Sequence, residues 1–481
     1  MKPCKLEIKD EVNVKFHNLD AITRRKLHSQ FKYILPYARH MPSYRLGRWD
    51  GSKPFFQMGG STFLHLLPQI LPALNDLGYD VTEIDDKRYR QPDFNFPQIN
   101  EDTFSRITWP EGHTYEGEPI ILRDYQVEIV QKFTENLQCV QQISTGAGKS
   151  IVTAVLSHLV DPYGHTVVIV PNTNLVNQTA EDYRNVGLDT GVYYGKKKEL
   201  DRRHTICTWQ SLSKLLAQKN QAAADFVVDI KAVIVDEAHG SDSRILLTIL
   251  TDHLSHVPIR WGLTGTIPKE EFRVAGIESG IGPNVNTIRA RELQDAGVLA
   301  QCFVNVLQTQ ETTEYKDYHS EMKFLTSDGD RLDWLASKII NDIANDGNTL
   351  ILVNKIETGK LLAERITDSV FLSGADGPDE RKRHYDQVKD DSNKTIIASY
   401  GIASTGINIV EIHNLVLLEP GRSFIRVIQS IGRGLRKSKS KDRVEIWDIT
   451  SRCRFSRRHL NDRKRYYREA EYEHKVFKVK Y

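Results

Sequence analysis

The chain has 481 residues, of which 40% are apolar and 27% charged, with a net charge of +2. That length exceeds one hydrophobic core and predicts two to four domains of ordinary globular composition. No run approaches the ~18 apolar residues of a membrane span, and the five scattered cysteines (Cys4, Cys139, Cys207, Cys302, Cys453) show no CxxC spacing, which argues against a disulfide frame or a zinc site and for a reducing cytoplasm.

In chain order, residues 1–90 read as a small α/β domain. Leu6, Ile8, Val12, Val14 and Phe16 alternate as a strand or hairpin does. Asp20 caps an expected helix reaching Tyr33, Leu64–Leu77 forms a second helix, and Val81–Ile84 a last strand. Residues 91–118 are rich in Pro, Asn and Asp and read as a linker. A helix is expected from Arg123 to Leu137. From 119 to 300, short apolar strands (Cys139–Ile143, Thr166–Val170, Thr205–Cys207, Ala232–Val235, Arg260–Leu263) alternate with helices, the pattern of a parallel sheet covered on both faces. The rhythm repeats from 301 to 450 at Thr349–Val353, Ser369–Leu372, Thr395–Ala398, Leu415–Leu418 and Val444–Asp448. Residues 451–481 close the chain with an Arg- and Tyr-rich segment, read as a helix over 452–475.

Charge is unevenly spread. Residues 1–60 hold 12 Lys/Arg against 5 Asp/Glu, and residues 452–481 hold 11 against 4, whereas residues 61–120 hold 4 against 11. Basic ends suit an anionic partner, usually a nucleic acid, although a solvated charged surface gives the same count.

Two motifs carry chemistry. Thr145-Gly146-Ala147-Gly148-Lys149-Ser150 sits between an apolar strand and a helix. Glycines there let backbone N–H groups wrap a phosphate chain at a helix N-terminus. Lys149 would reach the β/γ-phosphates and the Ser150 hydroxyl would ligate magnesium. The full phosphate-loop pattern has a glycine where this chain has Ile143. The second motif, Asp236-Glu237-Ala238-His239, ends an apolar strand about 90 residues later. Strand C-termini face the phosphates in such folds, so Asp236 would hold magnesium and Glu237 would orient the attacking water.

On these residues the chain resembles the DExH branch of superfamily 2 helicases, whose fold implies two RecA-like parallel-sheet domains in tandem. The resemblance implies further roles. Arg123 and Gln126 would read adenine. Thr264 and Thr266 of Leu263-Thr264-Gly265-Thr266, with His239, would couple hydrolysis to movement. Pro171, Asn172, Thr208 and Gln210 would hold the nucleic-acid backbone. In the second half, Ser404 and Thr405 would touch DNA and Gly406 the nucleotide. Gln429, Arg433 and Arg436 of Gln429-Ser430-Ile431-Gly432-Arg433-Gly434-Leu435-Arg436 would act catalytically, the two arginines as fingers on the γ-phosphate held by the first domain. Asn408 stands where many relatives carry Asp.

The Tyr44–Gly51 stretch, the small domain containing it and Ile396–Gly401 are similar to bacteriophage UvsW-type DNA helicases, which implies a host cytoplasm. There Arg45, Arg48 and Trp49 would grip duplex or forked DNA, although Trp49 also suits the small domain's core. The basic tail (Arg452, Arg454, Arg457, Arg458, Arg463, Lys464, Arg465) suits phosphate contacts or a helix docked on the second domain. The expected activity is an ATP- and Mg-dependent DNA helicase that unwinds or branch-migrates forks and junctions in replication, recombination and repair. The alternatives are a duplex translocase without strand separation and a structure-specific binding or annealing protein switched by ATP. RNA stays open as a partner, because backbone contacts say little about the sugar.

Overall fold

A computed structural model describes residues 1–89, 93–111, 115–218, 220–241, 243–311, 313–344, 347–377, 380, 383–384, 393–402, 412–421 and 443–480. Contacts divide the chain into two units. The first holds Met1–Ile143 and Gly148–Thr287, and the second Ile288–Tyr481 with the short loop Ser144–Ala147. Ser144 joins the second by donating its N–H to Ile288 O at 3.0 Å.

The first unit opens with β1 (Lys2–Ile8), β2 (Asn13–His17), β3 (Lys32–Ile34), β4 (Ser52–Pro54), β5 (Ser61–Phe63) and β6 (Tyr79–Asp86). Four of these form a sheet in the order β5-β2-β1-β6, while β3 and β4 pair as a separate antiparallel ribbon. The alternation expected for the first strands is explained by Cys4, Leu6, Val14 and Phe16, which point into a core with Phe55, Phe56 and Leu74. Asp20 caps the helix Ala21–Gln30 by accepting the Thr23 N–H at 2.7 Å. That helix stops short of the expected Tyr33, because Lys32–Ile34 pairs with Ser52–Pro54 instead.

Next come β7 (Gln138–Ile143), β8 (His165–Val170), β9 (Thr190–Tyr194), β10 (Lys197–Lys198), β11 (His204–Thr208), β12 (Ile230–Asp236), β13 (Ile259–Thr264) and β14 (Asn284–Ile288). Their order is β10-β9-β11-β8-β12-β13-β7-β14. The run β11-β8-β12-β13-β7 is parallel throughout, so five strand C-termini share one edge. Every residue of β8 is buried, as a strand covered on both faces requires.

The N-terminal domain is fastened to this sheet. Glu11 N donates to Ser255 O at 3.0 Å, Asn13 Nδ2 to Thr251 O at 2.8 Å, and His65 Nε2 lies 2.7 Å from Gln138 Oε1. Beneath the contact, the buried Arg260 gives its guanidinium to the carbonyls of Leu250, Leu254 and Gly280. Burial lowers its pKa to about 10.

The second unit has β15 (Gln301–Thr309), β16 (Thr349–Val353), β17 (Ser369–Leu372), β18 (Thr395–Ser399), β19 (Asn414–Leu418), β20 (Arg443–Ser451) and β21 (Glu473–Val479), ordered β17-β18-β16-β19-β20-β15-β21. Its pairings are all parallel among the described residues. The basic tail is built into this unit: a helix, Arg454–Glu469, leads into β21, which pairs with β15. The expected helix over 452–475 therefore ends six residues early. Arg463 is not a surface phosphate contact. It is fully buried, with Nε 2.8 Å from Asp448 Oδ2 and Nη2 2.9 Å from Asp448 Oδ1.

Candidate active site

The loop after β7 needs its glycines. Gly146 and Gly148 have φ of +90° and +79°, a region that side chains with a Cβ rarely occupy. A Cβ on Gly148 would also meet Gln126 Nε2 at 2.5 Å. Gln126 thus lies against the phosphate loop, and its Oε1 accepts the Arg123 N–H at 2.9 Å. The helix Lys149–Val160 starts directly behind Gly148, with Lys149 and Ser150 in its first turn. The N-terminal end of a helix, with its exposed amides and dipole, suits an anion.

Lys149 Nζ lies 3.8 Å from Glu237 Oε1 and 3.4 Å from Ile143 O. The Lys149 and Glu237 side chains keep 12% and 17% exposure, so the pair is close but loose and open to exchange. Glu237 has φ of +56°, strained for a non-glycine residue, at the end of β12. Asp236 precedes it, and its Oδ1 accepts the Glu237 N–H at 2.9 Å. Burial and the neighbouring Glu237 charge raise the Asp236 pKa, while Lys149 pulls it down.

From Glu237 a polar chain continues. His239 Nδ1 lies 3.2 Å from Glu237 Oε2 and 3.1 Å from Thr264 Oγ1. The Thr264 hydroxyl donates to Thr266 O at 2.9 Å, so its oxygen is left to accept from His239. This assigns the ring proton to Nδ1, where it is donated to Thr264, with Glu237 Oε2 lying beside the ring. Thr266 N also donates to Thr264 Oγ1 at 3.3 Å. Lys149, Asp236, Glu237, His239, Thr264 and Thr266 are thus brought together by the ends of β12 and β13 and the helix after β7.

Arg273 also belongs to this site and has no signal in the sequence. Its Nη2 donates to His239 O at 3.0 Å from the helix Glu271–Gly280. Nothing in its spacing from Thr266 marks it, and only the packing of that helix brings it here.

The nucleic-acid candidates occupy varied settings. Pro171 and Asn172 follow β8, and Thr208 ends β11, all at the C-terminal edge of the parallel strands. Asn172 Oδ1 accepts the Leu175 N–H at 3.0 Å, and Thr208 Oγ1 accepts the Ser211 N–H at 3.3 Å. Both side chains are committed to helix caps. Gln210 is exposed. Arg45 and Arg48 are exposed on the N-terminal domain, beside Tyr37, Tyr44 and Leu46, which are 52%, 40% and 64% exposed. Trp49 is half-buried, packs with Leu35, Ala38 and Phe272, and donates Nε1 to Ser52 O at 2.8 Å. Its ring is thus a packing residue of the small domain. Ser404, Thr405, Gly406, Gln429, Arg433 and Arg436 lie outside the described residues.

The site fits a magnesium–nucleotide. It offers a glycine loop, a helix N-terminus, a lysine held by an exchangeable carboxylate, and Asp236 with Ser150 as oxygen donors for a hard cation. Among the described residues no helix is long and apolar enough to cross a membrane.

Comparison with known proteins agrees. The family described as "Type III restriction enzyme, res subunit" matches residues 119–269, and the "Helicase conserved C-terminal domain" matches residues 330–438. The chain is 25% identical over 490 residues to the ATP-dependent DNA helicase uvsW of Enterobacteria phage T4, covering 95% of this chain and 94% of the relative. It is 25% identical over 372 residues to the DNA 3'-5' helicase XPB of Kineococcus radiotolerans, covering 74% and 64%. An HsdR-subunit fragment of a type I restriction enzyme from Vibrio vulnificus shares the fold, with a TM-score of 0.57 and 16% identity, covering 97% of this chain and 85% of that one.

Proposed function

Since this chain belongs to the superfamily 2 helicases, with their tandem RecA-like domains and ATP-hydrolysing chemistry, we propose that it drives strand unwinding or branch migration on forked and junction DNA. The observation that carries the chemistry is the continuous chain Lys149–Glu237–His239–Thr264, at 3.8, 3.2 and 3.1 Å. Lys149 exchanges the Glu237 carboxylate for phosphate oxygens when nucleotide enters. Glu237, released from that ion pair and lying beside the His239 ring, would orient and deprotonate the attacking water. Asp236 and Ser150 would hold magnesium, which neutralises charge developing on the phosphates. The Thr264 hydroxyl, which His239 contacts, and the Thr266 backbone bonded to it would feel a change at Glu237. Gln126, which borders the phosphate loop, would sense the base.

Branched DNA is favoured by the N-terminal domain. Arg45 and Arg48 sit among exposed aromatic and aliphatic side chains, a surface that suits both phosphate and unstacked bases. The domain is fastened to the ATPase sheet, so a grip there acts on the motor directly.

The test is ATP hydrolysis and product formation across single-stranded, duplex, forked and four-way DNA and matching RNA, for the wild type and Lys149→Ala. Stimulation strongest on forked or four-way DNA, lost in Lys149→Ala, is expected. Triplex displacement without strand separation would replace this reading with plain translocation. Fork binding with no ATP-driven change of product would replace it with a switched binding protein.

A further inference from the structure

The helix Glu271–Gly280 lies between two parts of the first unit. On one side Arg273 Nη2 donates to His239 O at 3.0 Å. On the other, Phe272 packs with Leu35, Ala38 and Trp49 of the N-terminal domain, and Ala275 enters that domain's core. Gln69 Nε2 adds a bond to Glu278 Oε2 at 3.3 Å. Adjacent residues of one helix thus touch the N-terminal domain and the turn that carries Glu237.

That turn is sensitive to its supports. Glu237 is held at φ of +56°, and its Oε2 meets the ring of His239 two residues on. Moving the His239 backbone therefore moves the ring against which the Glu237 carboxylate rests. A positional error near 1 Å at a reacting group costs on the order of a hundredfold in rate.

We propose that Arg273 is a positioning residue for Glu237, and that its helix transmits DNA engagement by the N-terminal domain to the ATPase centre. The helix is ten residues long and so about 15 Å of rigid rod. A shift of the N-terminal domain on DNA displaces Phe272, and the neighbouring Arg273 carries the displacement to His239 O. The linkage is reciprocal: nucleotide at the site changes the DNA affinity of the N-terminal domain by the same factor that DNA changes nucleotide affinity.

The experiment compares wild type, Arg273→Ala, Arg273→Lys, Phe272→Ala and the double Phe272→Ala/Arg273→Ala in the full chain. It measures kcat and KM for ATP with and without forked DNA, melting temperature, and fork affinity with and without a non-hydrolysable ATP analogue. Arg273→Ala is expected to lower the DNA-stimulated kcat about tenfold, with KM for ATP changed by less than about twofold and the fold intact. Arg273→Lys should restore part of the loss. Phe272→Ala should lose DNA stimulation and the analogue's effect on fork affinity while keeping its DNA-free rate, and the double variant should be no worse than Arg273→Ala. An unchanged kcat in Arg273→Ala, a loss that only tracks the folded fraction, or independent multiplication of the two single effects overturns the inference. The proposal rests on Glu237 as the water-orienting carboxylate. Retained hydrolysis in Glu237→Gln defeats that assignment, whereas an inactive Glu237→Gln beside a fully active Arg273→Ala defeats only the Arg273 relay.

Discussion

Each unit contains a constellation of opposite charges, and the two are built differently. In the first, Lys149 and Glu237 stand 3.8 Å apart and remain partly exposed. In the second, Arg463 and Asp448 are fully buried and joined at 2.8 and 2.9 Å, Tyr467 adds a 2.8 Å bond to Asp448 Oδ2, and Arg463 Nη1 holds Gly421 O at 2.7 Å. Slack and solvent let the first pair change partners. Closure and full hydrogen bonding leave the second nothing to exchange, so it fixes a helix on a sheet. Charge alone distinguishes neither; the distance and the burial do.

The largest expected effect is at the loose pair. Glu237→Gln should cut kcat for ATP hydrolysis roughly a thousandfold while shifting the melting temperature by less than about 3 °C. Steady-state ATPase assays beside thermal melts decide it; a stable variant that still turns over would remove Glu237 from the chemistry. The closed pair should answer in the opposite currency. Arg463→Met leaves Asp448 buried and uncompensated and should cost the second unit about 3 kcal/mol, read by denaturant titration. Arg463→Met with Asp448→Leu should recover much of that loss. If the single Arg463→Met variant is fully stable but inactive, the contrast between the two constellations collapses.

The same contrast explains what the sequence makes legible. Lys149 and Asp236-Glu237 lie in short local motifs whose spacing is itself the chemistry, so they are readable without coordinates. Arg463 and the other tail arginines have identical local signals, a basic helix, yet Arg463 turns inward because the buried Asp448 of β20 faces it. Arg273 is invisible for the converse reason, since its partner is a backbone carbonyl 34 residues away. The central strands are legible because they are continuous apolar runs. β15, β21 and β9 escape such reading because Gln301–Thr309, Glu473–Val479 and Thr190–Tyr194 mix polar residues into edge or near-edge positions.

Buried titratable groups make both units depend on pH. In the second, among the described residues, Glu311, Glu419 and Asp448 face the two guanidiniums of Arg331 and Arg463, three carboxylates to two cations. Burial holds the spare proton on Glu419 and raises its pKa to about 7, although Arg331 and Arg463 pull it down. A raised acid binds more protons folded than unfolded, so this group lowers stability as pH rises from about 4.5 to 7. In the first unit, burial lowers the pKa of both His165 and His204 to about 4. A lowered histidine binds fewer protons folded, so these groups lower stability as pH falls from about 6.5 to 4. Melting temperature against pH should therefore show Glu419→Gln removing a loss on the neutral side and His204→Phe removing one on the acid side, each by a few degrees. Parallel curves for either variant and wild type would show that the group does not change its proton on folding.

The smallest expected effect tests charges that are neither loosely nor tightly paired. Arg45 and Arg48 are exposed, and Arg45 Nε donates to the Arg39 carbonyl at 3.1 Å. If they hold phosphates, their energy comes from releasing counterions, and each lost contact should flatten the plot of log affinity against log salt by about 0.9. Arg45→Ala with Arg48→Ala should then weaken fork binding several-fold at moderate salt, reduce the slope by about 1.8, and leave melting temperature and DNA-free hydrolysis as they were. Fluorescence anisotropy over a salt series measures this. An unchanged slope would make the two arginines solvated surface. A changed slope with unaltered ATPase stimulation would mean that the N-terminal domain holds DNA without instructing the motor, the outcome that most directly separates binding from coupling in the first unit.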